Sequence, residues 1–216
     1  MSTSTRTRHE TTLDGDAHAR LLQAVSVSLR YPDDELVALL PLVRSVAAAL
    51  PEHPARERLL TFLDRAEAMT PRALGELYVR VFDHQRRCCL YLTWWSDGET
   101  RRRGASLAAL KDRYRAVGME LESTELPDFL PAVLEYAAAG DLADGLALLQ
   151  EHRAGLELLR LALLEADAPW AALLEALCAV LPGPSPADVA AAKALARSGP
   201  PREQVGLDLA PFGGPR

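Results

Sequence analysis

The sequence predicts an all-α fold, a compact single-domain bundle of about eight to ten short helices. Hydrophobic residues make up 49% of the 216 residues, but aromatic residues only 6%. Leucine and alanine, which are both strong helix formers, must therefore fill most of the core. Isoleucine is absent and valine is scattered, whereas a β-rich fold favours β-branched residues in alternating runs. Apolar residues instead recur at the three- and four-residue spacing of amphipathic helices.

Prolines, glycines and capping residues separate the predicted helices. The first helix carries its apolar face from Leu21 to Leu29 and ends at Pro32. Pro41 lies inside the next helical run and predicts a kink or a break there. Later helices are predicted to begin at the Thr70-Pro71 pair, to run over about 99–117, and to extend from the loop at 126–131 to about residue 139. The run 142–163 predicts one long helix or two short ones joined near Gly155, and another helix follows around 170–180.

These signals predict a helical domain over 17–197, with a disordered tail at 1–16 and a flexible Pro/Gly-rich tail at 198–216. The first tail has no apolar segment and so does not resemble a signal peptide. No apolar stretch approaches the ~20 residues of a spanning helix. Three cysteines with no CxxC pair fit a reducing compartment. We therefore expect a cytoplasmic protein with no stable membrane insertion.

The sequence contains no motif that predicts catalysis. It has no glycine-rich phosphate loop, no GxSxG and no HExxH, and its five histidines have no ligand spacing. His84 and Cys88 are four residues apart and would share a helix face, so a metal pair is conceivable, but small packing residues are the simpler interpretation. A net charge of −6 disfavours a general nucleic-acid binder. We predict no catalytic residue, no metal site and no cofactor.

Charge is segregated along the middle of the chain. The segment 84–115 is rich in arginine, whereas the segment 116–144 has no lysine or arginine and carries Glu120, Glu122, Glu125, Asp128, Glu135, Asp141 and Asp144. Carboxylates accept guanidinium groups bidentately, so an acidic surface could receive an arginine-bearing peptide. The alternative is that the two segments pair with each other within the fold.

An aromatic cluster at Tyr91, Trp94 and Trp95 follows Cys88 and Cys89. Two adjacent tryptophans on a helix cannot both enter the same core, so we expect part of at least one to be exposed. An exposed aromatic side chain beside a groove is a typical peptide anchor. The alternative is burial of both rings where several helices meet.

Five segments resemble the NarJ family, in the same order along the chain. They are YVRVFD at 78–83, RRCCLYLT at 86–93, GETRRRG at 98–104, LPDFLP at 126–131 and EHRAGLELL at 151–159. The resemblance covers about residues 21–181. It implies an all-helical assembly chaperone, related to the TorD/DmsD group, that binds the catalytic α subunit of respiratory nitrate reductase. It also implies that the chaperone recognises the N-terminal segment of that subunit and is needed for molybdenum cofactor insertion before membrane docking. Family members usually carry histidine where this chain has Phe129, so a role for that histidine cannot be transferred.

The resemblance and the charge pattern together predict a peptide-binding site. We expect Tyr91, Trp94 and Leu130 to anchor an amphipathic helix of the client in an apolar groove, and Asp83, Asp128 and Glu135 to meet its basic groups. The chain would act as a monomer or weak homodimer. Two alternatives remain, a nucleotide-binding or nucleotide-hydrolysing protein and a structural subunit of a helical complex. GTP turnover that depends on a named acidic residue would support the first, and persistence in the active enzyme would support the second.

Overall fold

The computed structural model describes residues 13–98, 100–121 and 125–198, and the predicted all-α fold is confirmed. This part of the chain forms eleven α-helices, slightly more than the predicted eight to ten. The helical run after Leu142 divides at His152, and residues 92–97 form a short helix of their own. The helices are α1 (Gly15–Ser28), α2 (Asp34–Ala49), α3 (Pro54–Glu67), α4 (Pro71–Tyr78), α5 (Leu92–Asp97), α6 (Arg101–Ala116), α7 (Leu130–Glu135), α8 (Leu142–Glu151), α9 (Arg153–Glu165), α10 (Ala171–Ala179) and α11 (Val189–Ser198). Single π-helical turns follow α4 at Val79–Asp83 and α7 at Tyr136–Gly140.

Capping residues fix several helix starts. The Asp14 and Asp33 carboxylates accept hydrogen bonds from backbone N–H groups in the first turns of α1 and α2, both at 2.8 Å. The Thr70 hydroxyl does the same for α4, ahead of Pro71. Helix α1 begins at Gly15, two residues before the expected start of the helical domain. Helix α2 continues through Pro41, so the helix is not broken there. The predicted tails lie almost entirely outside the described residues.

The core is built around α1 and α10, which pack on each other and on α2, α3, α7 and α9. Helix α1 contacts α2, α3, α7 and α10, and α10 also packs between α3 and α9. Helix α10 is apolar around most of its circumference, as expected for a central helix. Trp170, just before α10, packs edge-to-face on Tyr78 and Phe82 at ring distances of 5.3 and 5.2 Å. None of the helices in the described ranges is long and apolar enough to cross a membrane.

A short backbone pairing joins two of the family-like segments. The Leu92 N–H donates to the Asp128 carbonyl at 2.9 Å, and the Leu130 N–H donates to the Leu90 carbonyl at 2.8 Å. These two bonds enclose an isolated antiparallel bridge between Tyr91 and Phe129, with no named strand elsewhere in the described chain. Segments 86–95 and 126–131 are therefore held side by side, although about 38 residues of sequence separate them.

Candidate functional site

A cavity of about 560 Å³ opens where the end of α1, the first π turn and the start of α5 meet. Its volume suits several side chains of a ligand. Eight of its thirteen lining residues are aromatic or apolar, and the other five are charged. The lining residues are Arg30, Tyr31, Asp33, Tyr78, Phe82, Asp83, Arg86, Cys89, Leu90, Tyr91, Trp94, Glu125 and Phe129.

The π turn Val79–Asp83 brings Phe82 and Asp83 to this cavity. The wide turn closes with a hydrogen bond from the His84 N–H to the Val79 carbonyl at 3.2 Å. Such turns are rare in helices and are frequent at functional sites. Immediately before it, Tyr78 forms a fixed part of the wall, because its hydroxyl donates to the Leu29 carbonyl at 3.1 Å. Burial raises the pKa of Tyr78, so the hydroxyl remains a hydrogen-bond donor.

The two adjacent tryptophans of α5 face different parts of the protein. Trp94 lines the cavity, and the Arg86 guanidinium lies 5.1 Å from the centre of its ring. Trp95 packs on α9, and its indole N–H donates to the Cys89 carbonyl at 3.1 Å. Both side chains are only partly buried, which confirms the predicted exposure of at least one of them. Helix α5 therefore presents one aromatic ring to the cavity and uses the other for packing.

Charged groups surround the aromatic wall. Asp83 and Glu125 are exposed carboxylates, while the Asp33 carboxylate caps α2. With Arg30 and Arg86, the lining contains three acidic and two basic side chains. Desolvation raises the pKa of Tyr91, and the neighbouring carboxylates raise it further. The cavity thus combines an apolar wall with a rim that can pair with basic groups of a ligand.

A second cavity of about 360 Å³ adjoins the first and shares Arg30, Glu125 and Phe129 with it. It adds the exposed carboxylates of Glu120 and Glu135. We call these two neighbouring cavities together the groove. One end of the groove is aromatic and the other is acidic.

The structure separates the predicted site residues into two sets. Asp83, Tyr91 and Trp94 come together in the first cavity, and Glu135 lies at the acidic end of the groove. Asp128 and Leu130, however, have no accessible surface. Their expected direct contact with a client does not fit this geometry, and the bridge between Tyr91 and Phe129 explains why. That pairing turns the side chains on either side of Phe129 into the protein, so of residues 128–130 only Phe129 lines the groove.

Sequence reasoning missed several lining residues. Arg30 and Tyr31 come from the turn that follows α1, and Tyr31 is half exposed. A tyrosine between a helix end and Pro32 was the available signal, since an aromatic residue at an exposed turn often serves binding. Phe82 and Phe129 lay within the family-like segments but were not selected.

Some of the opposite charges of the two central segments pair with each other within the fold. Arg103 pairs with Asp128, and Arg113 pairs with Asp144, both at 3.3 Å. These acidic groups therefore act within the fold. By contrast, Glu120, Glu125 and Glu135 line the groove, while Glu122 lies outside the described residues.

The cysteines near the groove have the character of packing residues. Cys88 is fully buried and Cys89 is partly buried at the cavity wall. Desolvation raises the pKa of both thiols, which favours the protonated and unreactive form. Over the ranges that the structure describes, His, Cys, Asp and Glu side chains form no group of three or more that could hold a metal ion.

Comparison with known proteins identifies relatives whose names all refer to nitrate reductase. Residues 47–176 match the family described as nitrate reductase delta subunit. A probable nitrate reductase molybdenum cofactor assembly chaperone NarJ from Bacillus subtilis is 35% identical over 158 residues, which cover 73% of this chain and 86% of that protein. The NarJ assembly chaperone of Escherichia coli K12 is 33% identical over 159 residues, 72% of this chain and 67% of that protein. The nitrate reductase-like protein NarX of Mycobacterium tuberculosis H37Rv is 36% identical over 168 residues, 76% of this chain but only 24% of that longer protein.

Proposed function

The chain belongs to the nitrate reductase delta subunit family, and we propose that it is a cytoplasmic assembly chaperone for a respiratory nitrate reductase. Two of its relatives are named as a nitrate reductase molybdenum cofactor assembly chaperone, one of them as a probable one. The observation that carries the proposal is the groove, in which an aromatic wall continues into an acidic end. Such a surface suits an amphipathic segment with basic groups on its polar side.

The proposed ligand is the N-terminal segment of the catalytic α subunit, bound as a helix in the groove. Tyr91, Trp94 and Phe82 would surround its apolar side chains, and Asp83 and Glu135 would pair with its basic ones. Buried aromatic anchors contribute much of the free energy in contacts of this kind, whereas exposed charges mainly set orientation and rate. Binding in the micromolar range, about −8 kcal/mol, would allow release once assembly is complete.

Occupation of the groove gives the chaperone its role in assembly. A client whose N-terminal segment is held cannot dock on its membrane anchor, so the cavity for its molybdenum cofactor stays open until the cofactor is inserted. The chaperone itself holds no cofactor in this scheme and acts as a monomer or weak homodimer. It leaves before the enzyme works, which distinguishes it from a structural subunit.

Titration calorimetry with the full chain and a synthetic peptide of about 20 residues from the client N-terminus tests the groove directly. We expect binding by the wild type and at least about tenfold weaker binding by Trp94→Ala, because a buried aromatic anchor is lost. Leu42→Ala is the matched control, since Leu42 is an exposed apolar side chain on α2 that does not line the groove. No binding by the wild type at high micromolar peptide would reject the proposed ligand.

A pull-down from nitrate-respiring cells tests the client. The chain should capture the nitrate reductase α subunit, and removal of the first 20 or so residues of that subunit should abolish capture. Capture that survives the truncation would place the contact elsewhere on the client. Capture of the mature, active enzyme in constant proportion would favour a structural subunit instead.

A further inference from the structure

Asp128 lies directly behind the groove and is fully buried. Its Oδ2 atom accepts hydrogen bonds from the Thr93 hydroxyl, from the Thr93 N–H at 3.3 Å and from the Arg103 guanidinium at 3.3 Å. Its Oδ1 atom has no hydrogen-bond partner in the described part of the chain. A buried carboxylate oxygen without a partner costs free energy, so the bonds made by the other oxygen must offset that cost.

The bonds to Thr93 make Asp128 an external cap for α5. The residue at the N-cap position of α5, Tyr91, forms no side-chain capping bond. Asp128 instead accepts the first two N–H groups of the helix, Leu92 with its backbone carbonyl at 2.9 Å and Thr93 with its carboxylate. A helix of only six residues is not stable by itself, so its position depends on such contacts.

The same carboxylate also acts on Tyr91 through Arg103. The Nε atom of Arg103 donates to the Thr93 hydroxyl at 3.1 Å, and its Nη2 atom donates to Asp128. In this position the guanidinium lies 5.9 Å from the centre of the Tyr91 ring. Asp128 therefore holds the position of Trp94 by capping the start of α5, and that of Tyr91 by holding Arg103. None of these hydrogen bonds joins Asp128 to either aromatic side chain.

We propose that Asp128 is a positioning residue of the groove, which caps α5 from outside and so sets the directions of Tyr91 and Trp94 without contacting the client. The inference rests on the proposed function, since it assumes that the client peptide binds in the groove. It replaces the expectation of a direct acidic contact for Asp128. It also assigns Thr93 and Arg103 to the same positioning network.

Hydrogen exchange of the full chain without any client tests the cap by itself. In Asp128→Ala, we expect the backbone amide of Thr93 and its neighbours in α5 to exchange about fivefold faster, as after the loss of a typical N-cap. Asp128→Asn keeps a carbonyl oxygen for the Thr93 N–H and should show a smaller change. The matched control is Asp144→Asn, because the Asp144 carboxylate pairs with Arg113 and Tyr136 and does not line the groove. Unchanged exchange in α5 of Asp128→Ala would overturn the capping role.

Peptide titration of the same variants, at a temperature where circular dichroism shows each to be folded, tests the consequence. We expect affinity to fall about tenfold or more in Asp128→Ala and less in Asp128→Asn, and to stay constant in Asp144→Asn. Fast exchange in α5 with wild-type affinity would overturn the positioning role. Lost affinity without faster exchange would indicate a direct contact and would overturn it too. Failure of the wild type to bind would instead reject the proposed function and leave the exchange result standing.

Discussion

Asp128 behind the groove and Glu157 on α9 are both fully buried carboxylates, yet their surroundings differ. Both oxygens of Glu157 are paired, Oε1 with Arg153 at 2.9 Å and Oε2 with Arg160 at 2.6 Å. The Asp128 carboxylate uses Oδ2 for all its hydrogen bonds and leaves Oδ1 without a partner in the described chain. A fully satisfied buried network rigidifies a structure, whereas a partly satisfied one costs stability and needs another explanation.

The Glu157 network holds the linker after α10 against α9. Arg153 donates to the carbonyls of Pro182 and Gly183, and Arg160 donates to that of Pro186 at 2.7 Å. None of these residues lines the groove. The Glu157 network therefore joins parts of the fold away from the groove, whereas the Asp128 network lies beside the groove, and substitutions in the two networks should have different effects on stability and on peptide binding.

The largest expected effect follows from Glu157→Gln. This change leaves the guanidinium groups of Arg153 and Arg160 buried without a counter-charge, which should lower the free energy of unfolding by about 3–5 kcal/mol. Urea unfolding followed by circular dichroism measures the loss. The folded fraction should bind the client peptide as the wild type does, because the groove is not altered.

Two controls define that result. Glu76→Gln removes an exposed partner of Arg72 and should leave stability unchanged, because surface ion pairs contribute little. Replacing Arg153, Glu157 and Arg160 together by Met, Leu and Met should recover most of the loss, since no buried charge then remains unpaired. A loss below about 1 kcal/mol in Glu157→Gln would show that water reaches this network and that the comparison with Asp128 does not hold.

The two regions also differ in how far the sequence predicted them. Helix starts are local, so the capping residues Asp33 and Thr70 and the apolar period were enough to predict an all-α fold. Charge pairs between distant segments are not local. The segregated pattern did not show that Arg103 would meet Asp128, a pairing that depends on how α6 lies against the 126–131 loop.

The groove could be predicted only in part for the same reason. Tyr91 and Trp94 were selected because an aromatic cluster is visible in the sequence. In the extended segment 126–131, successive side chains point alternately to the groove and to the core. The pairing of Phe129 with Tyr91 decides which residues take which direction, and the sequence alone does not show that pairing. Leu130 was therefore assigned to the groove, whereas Phe129 is the residue that lines it.

A smaller effect on stability is expected at the contact between α9, which carries Glu157, and α5, which carries Trp94. A Cβ atom on Gly155 would lie 2.7 Å from Cβ of Trp95, so Gly155→Ala must push the two helices apart. We expect a loss of about 1–3 kcal/mol in unfolding free energy, together with faster amide exchange in α5. Unlike Glu157→Gln, this variant should also weaken peptide binding, because Trp94 moves with α5.

Gly104→Ala is the matched control for this change. No atom lies within 4 Å of a Cβ at Gly104, an exposed position of α6, so alanine there should raise stability by up to about 1 kcal/mol. Equal effects of the two glycine substitutions would mean that the contact between Gly155 and Trp95 does not constrain α5.

The smallest expected effect concerns pH and His152, which lies between α8 and α9. Burial lowers the pKa of His152, while Glu151, Asp97 and Asp128 raise it and Arg113 lowers it further. Because the unfolded chain then binds protons first, the stability contributed by neutral His152 is present above about pH 6.5 and is lost as the pH falls through the folded-state pKa. Urea unfolding at about pH 7.5 and pH 5.5 should show a smaller decrease in His152→Gln than in the wild type, by at most about 1.4 kcal/mol, because pH 5.5 lies only about one unit below the unfolded-state pKa.

Peptide titration of the wild type and of His152→Gln at the same two pH values tests whether His152 affects the groove. His152 does not line the groove, so the change of peptide affinity between these pH values should be the same in the wild type and in His152→Gln. Any pH dependence of binding that they share would then belong to groups of the groove or of the peptide. A difference between them would instead show that protonation of His152 reaches α5, since Trp95 on that helix and His152 border one small cavity beside Gly155.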